Sequence, residues 1–470
     1  MKKILTALLF ICLVIVLAYG GACYWVGGQA QRQHDELIAQ INGYNFIEAS
    51  TKSYDRGVFS SRALTTFTLT RPECGDSIKF SLINSIHHGP FVFLRNQHLK
   101  AGLQPVLAII RTQLAPDDCP AEMKKLLEKI PELQSSEALT VISLDGSAET
   151  YCDVPSFRKT LTNDKNEEFE VQWGGFSAQS KFNVPLGEAV GSYSAPSLQV
   201  TDKDEVLRVK NIQGNFDSHR GMKGISVGSM AFSIEGVEAF DKGEPSFNLN
   251  TFEVKAESGF AGETVNGSIR LVFDKLTGGG LVLGPLTIEF EARKLDAEVL
   301  SRFESMAPEL RKKAAGGAGA GDEATDLFVR KILGDLLAKS PEFEIKQLKI
   351  RTDKGDLSGR AKLAFAGLGE NMEGNLLAIL GGIDASAELS VSEALFFFVA
   401  ENALSGGSTP GSEGAVKHSA GEFAKGLLAQ NIMVRENGAF KSSASYKRGR
   451  LSVNGHKMDF SGLLESPQAE

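Results

Sequence analysis

The chain has 470 residues, of which 42% are apolar and 23% charged, and its formal net charge is −8. This composition indicates a folded protein of roughly two or three domains, or one long repeat structure, and it excludes a largely disordered chain. The negative charge, without a basic stripe, also argues against binding to nucleic acid, which requires Lys and Arg to neutralise phosphates.

The first predicted element is a membrane anchor. Lys2 and Lys3 precede an uncharged, mostly apolar run from Ile4 to Gly28, and about 20 apolar residues suffice for a helix that crosses a bilayer. Tyr24 and Trp25 lie where an aromatic interfacial belt is expected, and the two lysines predict a cytoplasmic N-terminus.

Two alternatives stay open at this end of the chain. A signal peptide could be cleaved near Ala18-Tyr19-Gly20, or Cys23 could be the acylated residue of a lipoprotein signal. The length of the apolar run favours an uncleaved anchor. The polar stretch that follows is predicted as a helical stalk that continues the anchor and stops at Asn42-Gly43.

Most of the remaining chain is predicted to form β-strands. Segments rich in β-branched and aromatic residues cover Val58–Leu69 and Ile78–Ile86, and a helical interlude is predicted over Pro105–Leu133. Apolar and polar residues alternate over Leu286–Ala292, which predicts a strand with one solvated face. The predicted fold class is α+β, predominantly antiparallel β, with an N-terminal transmembrane helix followed by an elongated β-rich domain.

An internal repeat is present in the β-rich region. Pro245, Phe247, Leu249, Phe252, Val254, Lys255 and Gly259 recur 96 residues later as Pro341, Phe343, Ile345, Leu348, Ile350, Arg351 and Gly355. Each copy leads to a predicted helix, Asp296–Lys313 or Ser392–Leu404, with Asp296 and Ser392 as N-caps. The pattern predicts a duplicated hairpin–strand–helix unit.

These segments give the predicted domain organisation. It comprises a cytoplasmic tip and transmembrane anchor (1–28), a helical stalk (29–43), a β-rich periplasmic region (44–313) with the first repeat unit (about 245–313), a Gly/Ala linker (314–322), and the second repeat unit with the C-terminal strands (323–470). The linker lacks the Gly-Lys-Ser/Thr of a phosphate-binding loop, so no nucleotide site is predicted there.

Reactive side chains form no catalytic or metal-binding constellation in the sequence, so no cofactor is predicted. Ser226 matches the nucleophile-elbow pattern, but a strand rather than a helix follows it. Cys74, Cys119 and Cys152 match no zinc pattern. Their spacing agrees equally with one disulfide and a free thiol and with three buried thiols, so the pairing stays open.

Two short motifs supply the candidate recognition residues. Asp55-Arg56-Gly57 is typical of a charged turn before a strand, and His-Gly-Pro-Phe of a strand that ends in a turn. Adjacent histidines on a strand point to opposite faces, which argues against one metal shared by both. The candidate residues are Asp55, Arg56, His87, His88, Gly89, Pro90 and Phe91.

Three stretches carry a family resemblance: Ser53–Ser61, Ile86–Phe91 and Gly449–Gly455. Together with the N-terminal anchor they resemble the YdgA-like family of bacterial envelope proteins of unknown function, over essentially the whole chain. The resemblance implies a Gram-negative inner-membrane protein with a periplasmic main domain, and it implies no reaction, cofactor or catalytic residue. The glycine-rich insertion at Ala314–Gly321 departs from the family pattern and leaves the domain boundary there open.

The leading functional hypothesis is a non-enzymatic, membrane-anchored envelope protein that binds a partner protein or an amphipathic ligand such as lipid. Curved antiparallel sheets with apolar inner faces can form grooves for acyl chains, and an unoccupied apolar face would favour homo-oligomers. A structural or assembly role in the envelope is an alternative. A third hypothesis is a periplasmic hydrolase that uses His87 and His88.

Overall fold

The computed structural model describes residues 2–42, 47–70, 77–89, 92–93, 103–104, 106–162, 166–183, 186–279, 281–314, 332, 334–365, 380–405 and 413–458. Within these ranges the side chains of residues 2–18, 33, 37, 40, 92–93, 103–104, 307–314, 404–405 and 413–415 are not described. The chain forms two compact units: unit 1 (Met1–Arg220 with Ser305–Ala324) and unit 2 (Gly221–Glu304 with Thr325–Glu470).

Unit 1 combines a long N-terminal helix with an antiparallel sheet. Its elements are α1 (Lys2–Ile41), β1 (Ile47–Arg56), β2 (Ser60–Thr70), β3 (Ser77–His88), β4 (Val92–Phe93), β5 (Leu103–Gln104), β6 (Val106–Leu114), α2 (Ala121–Lys129), β7 (Glu137–Ser143), β8 (Ser147–Val154), β9 (Phe157–Thr162), β10 (Glu168–Trp173), β11 (Phe176–Asn183), β12 (Glu188–Asp202) and β13 (Glu205–Arg220). The strands pair in the order β1-β2-β3-β6-β7-β8-β11-β12-β13, and β9 and β10 extend the sheet beside the second half of β12.

Unit 2 is also an antiparallel sheet, with short helices. Its elements are β14 (Ser226–Asp241), β15 (Glu244–Ala261), β16 (Thr264–Gly278), β17 (Leu281–Asp296), α3 (Ala297–Ala314, which begins in this unit), α4 (Gly334–Ala338), β18 (Glu342–Thr352), β19 (Gly355–Phe365), β20 (Ile383–Ser392), α5 (Glu393–Ser405), α6 (Glu413–Ala429), β21 (Val434–Glu436), β22 (Ala439–Lys447), β23 (Arg450–Val453) and β24 (His456–Met458). Strands β14 to β20 pair in sequence, and β20 then pairs with β22. The predicted α+β class, with mostly antiparallel β-structure, is confirmed.

Helix α1 covers both the predicted anchor and the predicted stalk without interruption. Among the residues described, no helix has an apolar stretch long enough to cross a membrane. The side chains of residues 2–18, which form most of the predicted anchor, are not described. At the other end of α1, Asn42 Nδ2 donates to Ala49 O (2.8 Å) and Asn42 Oδ1 accepts from Ala49 N (2.6 Å), which joins the helix end to β1.

The helical interlude predicted over Pro105–Leu133 is wrong in its first half. Residues Val106–Leu114 form strand β6, and only Ala121–Lys129 is α-helical, between short 3-10 turns. Val106 and Ile109 are buried against Leu139 and Val141 of β7, so they lie in the core of the sheet. Tertiary burial of this apolar run, at about 25 cal/mol per Å² of apolar surface, outweighs its local helical pattern.

The order hairpin, strand, helix occurs twice in unit 2. It is formed first by β15, β16, β17 and α3, and then by β18, β19, β20 and α5. Asp296 caps α3, since its Oδ1 accepts from the backbone N–H groups of Glu298 and Val299, both at 3.0 Å. Ser392 Oγ accepts from the backbone N–H of Asp356 on the adjacent hairpin. The duplication behind this pattern stays a prediction. Of the predicted linker (314–322), Ala314 is the last residue of α3 and residues 315–322 lie outside the described residues.

A cluster of charges at one end of β17 and β18 gives unit 2 an acid-sensitive contact. Glu342 accepts from Lys294 Nζ (2.6 Å) and Arg293 Nη2 (3.1 Å), and Lys362 Nζ lies 3.5 Å away. The Lys294 hydrogen bond, followed by the charges of its neighbours, lowers the pKa of Glu342 to about 2. Because the folded pKa is depressed, the stabilising contribution of Glu342 is present above its ordinary value and is lost as the pH falls toward 2.

We therefore expect Glu342→Gln to flatten the loss of thermal stability between pH 4.5 and 2. The measurement is the unfolding midpoint against pH, for the wild type and the variant. Glu388→Gln is the control, because the Glu388–Arg360 pair is exposed to solvent and exposed pairs contribute little. Equal effects of the two substitutions would contradict the prediction.

Candidate functional site

His88 is the centre of a contact between the sheet of unit 1 and helix α1. Its side chain is 2% exposed, and Nδ1 lies 3.0 Å from the backbone carbonyl of Cys23 on α1. Since a carbonyl oxygen only accepts, Nδ1 must carry the proton, and in the neutral ring Nε2 accepts from Ser61 Oγ (3.0 Å). Burial, followed by the charges of Arg56 and His87, lowers the pKa of His88 below its ordinary value, although the bond to Cys23 opposes this.

Arg56 makes the second contact with the helix, one residue further along. Its Nη2 donates to the backbone carbonyl of Tyr24 (2.5 Å), and the guanidinium carbon lies 3.9 Å from the centroid of the Tyr24 ring. This cation–π geometry combines with a charge-assisted hydrogen bond, and exposed cation–π contacts contribute about 0.5–1 kcal/mol. Arg56 therefore holds both the backbone and the ring of one helix residue.

Glycines make room for these side chains. A Cβ on Gly27 would lie 2.6 Å from His88 Cε1, and one on Gly28 would lie 2.8 Å from Arg56 Nη2. On the sheet, a Cβ on Gly89 would lie 2.5 Å from Cys23 Sγ, and Gly89 has a φ of 142°, which L residues rarely adopt. We call Arg56, Ser61, His88 and Gly89 the helix socket.

The candidate recognition residues thus divide into two groups. Arg56, His88 and Gly89 meet at helix α1, whereas Asp55 is exposed on the other face of β1, opposite Arg62 on β2. His87 is half-buried and, one residue from His88, faces away from the helix, as the strand geometry requires. Pro90 and Phe91 lie outside the described residues.

The socket does not have the features of an enzyme site. A serine hydroxyl 3.0 Å from a histidine nitrogen is the start of a hydrolytic triad, but here the second ring nitrogen bonds to a helix carbonyl rather than a carboxylate. Ser61 is 4% exposed and His88 2%, so a substrate has no access to either. The described residues also include no group of three side chains that could hold a metal ion.

A second feature, in unit 2, is a continuous row of apolar side chains across one face of the sheet. Successive pairings across nine strands join Met230, Ala256, Ile269, Phe290, Ile345, Ala361, Ala387, Ala444 and Val453. Directly paired residues share a face of an antiparallel sheet. With strands about 4.8 Å apart, this row is about 38 Å long. We call it the apolar trough.

The adjacent row, on the opposite face of the same nine strands, is polar in every strand. The row one residue away consists of Ser229, Glu257, Ser268, Glu291, Glu344, Lys362, Ser386, Ser445 and Ser452. A sheet with such a contrast normally buries its apolar face against a second layer. Here Met230 and Ile269 are each 49% exposed, so the described residues leave the trough partly open.

Among the described residues, helices pack on the trough face at its two sides. Helices α5 and α6 pack on Val391 and Phe440 along one side, and Leu337 of α4 packs near Phe343 and Phe365 along the other. Between these covers lies a groove of about 400 Å³, with the alanines of the trough along it and aromatic side chains beside them. The groove lining includes Phe290, Phe343, Ala361, Ala387, Ala444 and Tyr446.

Comparison with known proteins places the whole chain in one family. A family model described as a bacterial protein of unknown function (DUF945) matches residues 1–461. The chain belongs to DUF945. No curated protein and no solved structure matches it. The family match therefore supports the bacterial family of unknown function that the sequence resemblance implied. The finer YdgA-like assignment stays a prediction.

In this DUF945 chain, the sequence indicates three of the four socket residues, Arg56, His88 and Gly89, but it does not indicate Ser61, the helix residues that the socket contacts, or the trough. The socket motifs were visible as turn signals, whereas the helix residues they contact are 32 to 65 positions away in sequence. The trough takes one residue from each of nine strands. The only available signal was the period-2 alternation within single strands, of which Leu286–Ala292 was recognised.

Proposed function

We propose that this DUF945 protein is a non-enzymatic, membrane-anchored envelope protein that binds the acyl chain of a lipid in the apolar trough of unit 2. Its anchor is the apolar run Ile4–Gly28 in α1, with Lys2 and Lys3 in the cytoplasm and the β-rich units in the periplasm. The observation that carries the proposal is the uninterrupted apolar row across nine strands, partly open to solvent.

The chemistry of the trough favours an acyl chain over a polypeptide. The row contains no side chain that can donate or accept a hydrogen bond. A peptide strand laid along it would remove backbone N–H and C=O groups from water without replacing their hydrogen bonds, at about 1–3 kcal/mol for each group. An acyl chain has no such groups and gains about 0.8 kcal/mol for each buried CH₂.

The proposed anchor supports the same ligand. A protein held at a membrane by one helix has lipid as its most abundant apolar neighbour. An exposed apolar patch larger than a few hundred Å² is uncommon on a soluble monomer and marks a binding surface. The trough is an apolar row with exposed members, Met230 and Ile269, on a chain that is proposed to stay beside lipid.

A photo-crosslinking residue tests the ligand directly. With p-benzoylphenylalanine in place of Ala387 in the full-length protein, we expect irradiation of intact cells to give an adduct with the mass of a lipid. Ser386 is the matched control, because it is the neighbouring residue of β20, is also exposed, and lies on the polar face. The measurement is mass spectrometry of the purified, irradiated protein.

The outcomes separate the alternatives. A lipid adduct at position 387 and none at 386 supports the proposal, and Ile345→Glu should then lower its yield about tenfold or more, because a carboxylate is costly to bury in an apolar groove. An adduct with a protein at position 387 would show the trough to be a partner-binding face. Equal lipid adducts at both positions would show non-specific contact with the membrane.

A further inference from the structure

Exposed apolar residues gather where helix α1 meets the sheet of unit 1. On the helix, Tyr24 is 52% exposed and Trp25 61%. On the sheet, the turn between β1 and β2 presents Val58, 46% exposed, and Phe59, 56% exposed. At this exposure, the four side chains leave much of their apolar surface in contact with solvent, and clustered exposed apolar surface is typical of an interaction site.

The turn and the helix are in direct contact. The ring of Phe59 stacks on that of Tyr19, with centroids 6.2 Å apart, and Arg56 at the start of the turn bonds to Tyr24. Gly57 N donates to Ser60 O, which closes the turn tightly. The helix socket therefore fixes Val58 and Phe59 beside the last turns of the apolar run Ile4–Gly28.

Two further connections at the same end of the sheet also expose a leucine. The strand register aligns Ser60, His87, Ile109, Val141, Glu149 and Lys181, so the connections that follow or precede these residues at that side share one end of the sheet. Leu144 between β7 and β8 is 58% exposed, and Leu186 between β11 and β12 is 59% exposed. At the opposite end, the β12–β13 turn is charged, with Asp202, Lys203, Asp204 and Glu205.

We propose that this end of unit 1 is a lipid-contacting surface, in which the β1–β2 turn inserts Val58 and Phe59 into the interface of the membrane that α1 crosses. The inference rests on the anchor in the proposed function and adds a second attachment to it. Aromatic residues such as Tyr24, Trp25 and Phe59 fit the boundary between headgroups and acyl chains. The exposed guanidinium of Arg56 then lies at the level of the lipid phosphates, to which Arg binds well.

Such a surface would orient unit 1. A single helix leaves a domain free to tilt relative to the membrane, whereas a helix and an inserted turn fix two points. The socket makes this arrangement rigid, because His88 and Arg56 hold the helix backbone at Cys23 and Tyr24. The charged β12–β13 turn at the other end of the sheet is then directed away from the lipid.

Fluorescence quenching by brominated lipids tests the insertion in the full-length protein reconstituted into phospholipid vesicles. The chain has two tryptophans, Trp25 and Trp173. In a Trp25→Phe, Trp173→Phe background, Phe59→Trp gives a reporter in the turn, and Asp204→Trp gives a matched reporter in an exposed turn at the opposite end. Trp173→Phe alone leaves Trp25 as the reporter of the helix.

We expect bromine on the acyl chains to reduce the fluorescence of the Phe59→Trp and Trp25 reporters and to leave that of Asp204→Trp unchanged. Quenching of Trp25 without quenching at position 59 would overturn the inserted turn while the anchor stands. Loss of quenching at both positions would overturn the anchor and the turn together. Equal quenching at positions 59 and 204 would show that contact with lipid is not confined to this end.

Discussion

Replacing Gly27 with leucine is expected to weaken the contact between α1 and the sheet of unit 1 by about 1–3 kcal/mol, the usual cost of overpacking. A Cβ at this position would lie 2.6 Å from His88 Cε1 and 2.8 Å from Nε2. The ring cannot yield, because hydrogen bonds to Cys23 and Ser61 hold both of its nitrogens. The measurement is hydrogen–deuterium exchange of residues 19–28 and 47–70 in the full-length protein, which reports the free energy of local opening.

Gly21→Leu is the matched control for this substitution. Gly21 lies on the same helix, and a Cβ there meets no atom within 4 Å. Leucine is also a better helix former than glycine, by roughly 0.8 kcal/mol, so the control should be neutral or stabilising. Faster exchange in both variants would indicate a general effect on the helix and would count against the socket.

Gly28→Leu should weaken the contact between α1 and the sheet less than Gly27→Leu does and more than Gly21→Leu does. The atom it would meet is Arg56 Nη2, 2.8 Å away, at the end of a long and exposed side chain. Arg56 can turn aside, at the loss of its hydrogen bond to Tyr24 and its stacking on the ring. The expected loss of stability at the three glycines therefore depends on what each one faces: a fixed ring at Gly27, a movable side chain at Gly28 and no atom at Gly21. Helix propensity alone would predict the same effect at all three positions.

The sequence predicted the class of the fold better than its details. Alternation of apolar and polar residues identified strands such as Leu286–Ala292, and Asp296 was recognised as the cap of α3. Strand β6 was mistaken for helix, because a run such as Val106–Leu114 shows its burial only when β3 and β7 are placed on either side. Periodicity describes one element, whereas the pairing partners that decide such cases are set by the whole chain.

At both candidate sites, the sequence indicates single residues but not the partners that they contact. The sequence indicated Arg56, His88 and Gly89 because turns need such residues. It could not show that the His88 ring bonds to the carbonyl of Cys23, 65 positions away on a helix. For the trough, nine apolar residues each look like ordinary members of an alternating strand. Only the register, which aligns Ile345 with Ala361 and Ala361 with Ala387, shows that they form one continuous surface.

The second large effect is expected at His88 itself. His88→Leu leaves the Ser61 hydroxyl buried without its partner, and a buried unsatisfied group costs about 1–3 kcal/mol. His88→Gln can keep both bonds, with the amide nitrogen donating to Cys23 O and the amide oxygen accepting from Ser61. We expect His88→Leu to lower the thermal unfolding midpoint of the full-length protein in mild detergent, and His88→Gln to lower it less. Equal losses in the two variants would show that ring packing, not hydrogen bonding, dominates at this position.

Comparison of the wild type with His88→Gln tests the charge state of His88. Burial lowers the pKa of His88 in the folded protein, so the neutral ring is the folded form and the unfolded chain binds the proton first as the pH falls. The stability that depends on the neutral ring is complete above the ordinary value of 6.5 and is lost as the pH falls from there toward the folded pKa. His88→Gln should remove this part of the pH dependence.

The measurement is the unfolding midpoint of the wild type and of His88→Gln at pH 7.5 and pH 5. Burial also lowers the pKa of His34, but that histidine is present in both proteins, so the difference between their midpoints isolates His88. A wild-type protein whose stability relative to His88→Gln does not change over this range would contradict a neutral, buried ring at the helix contact.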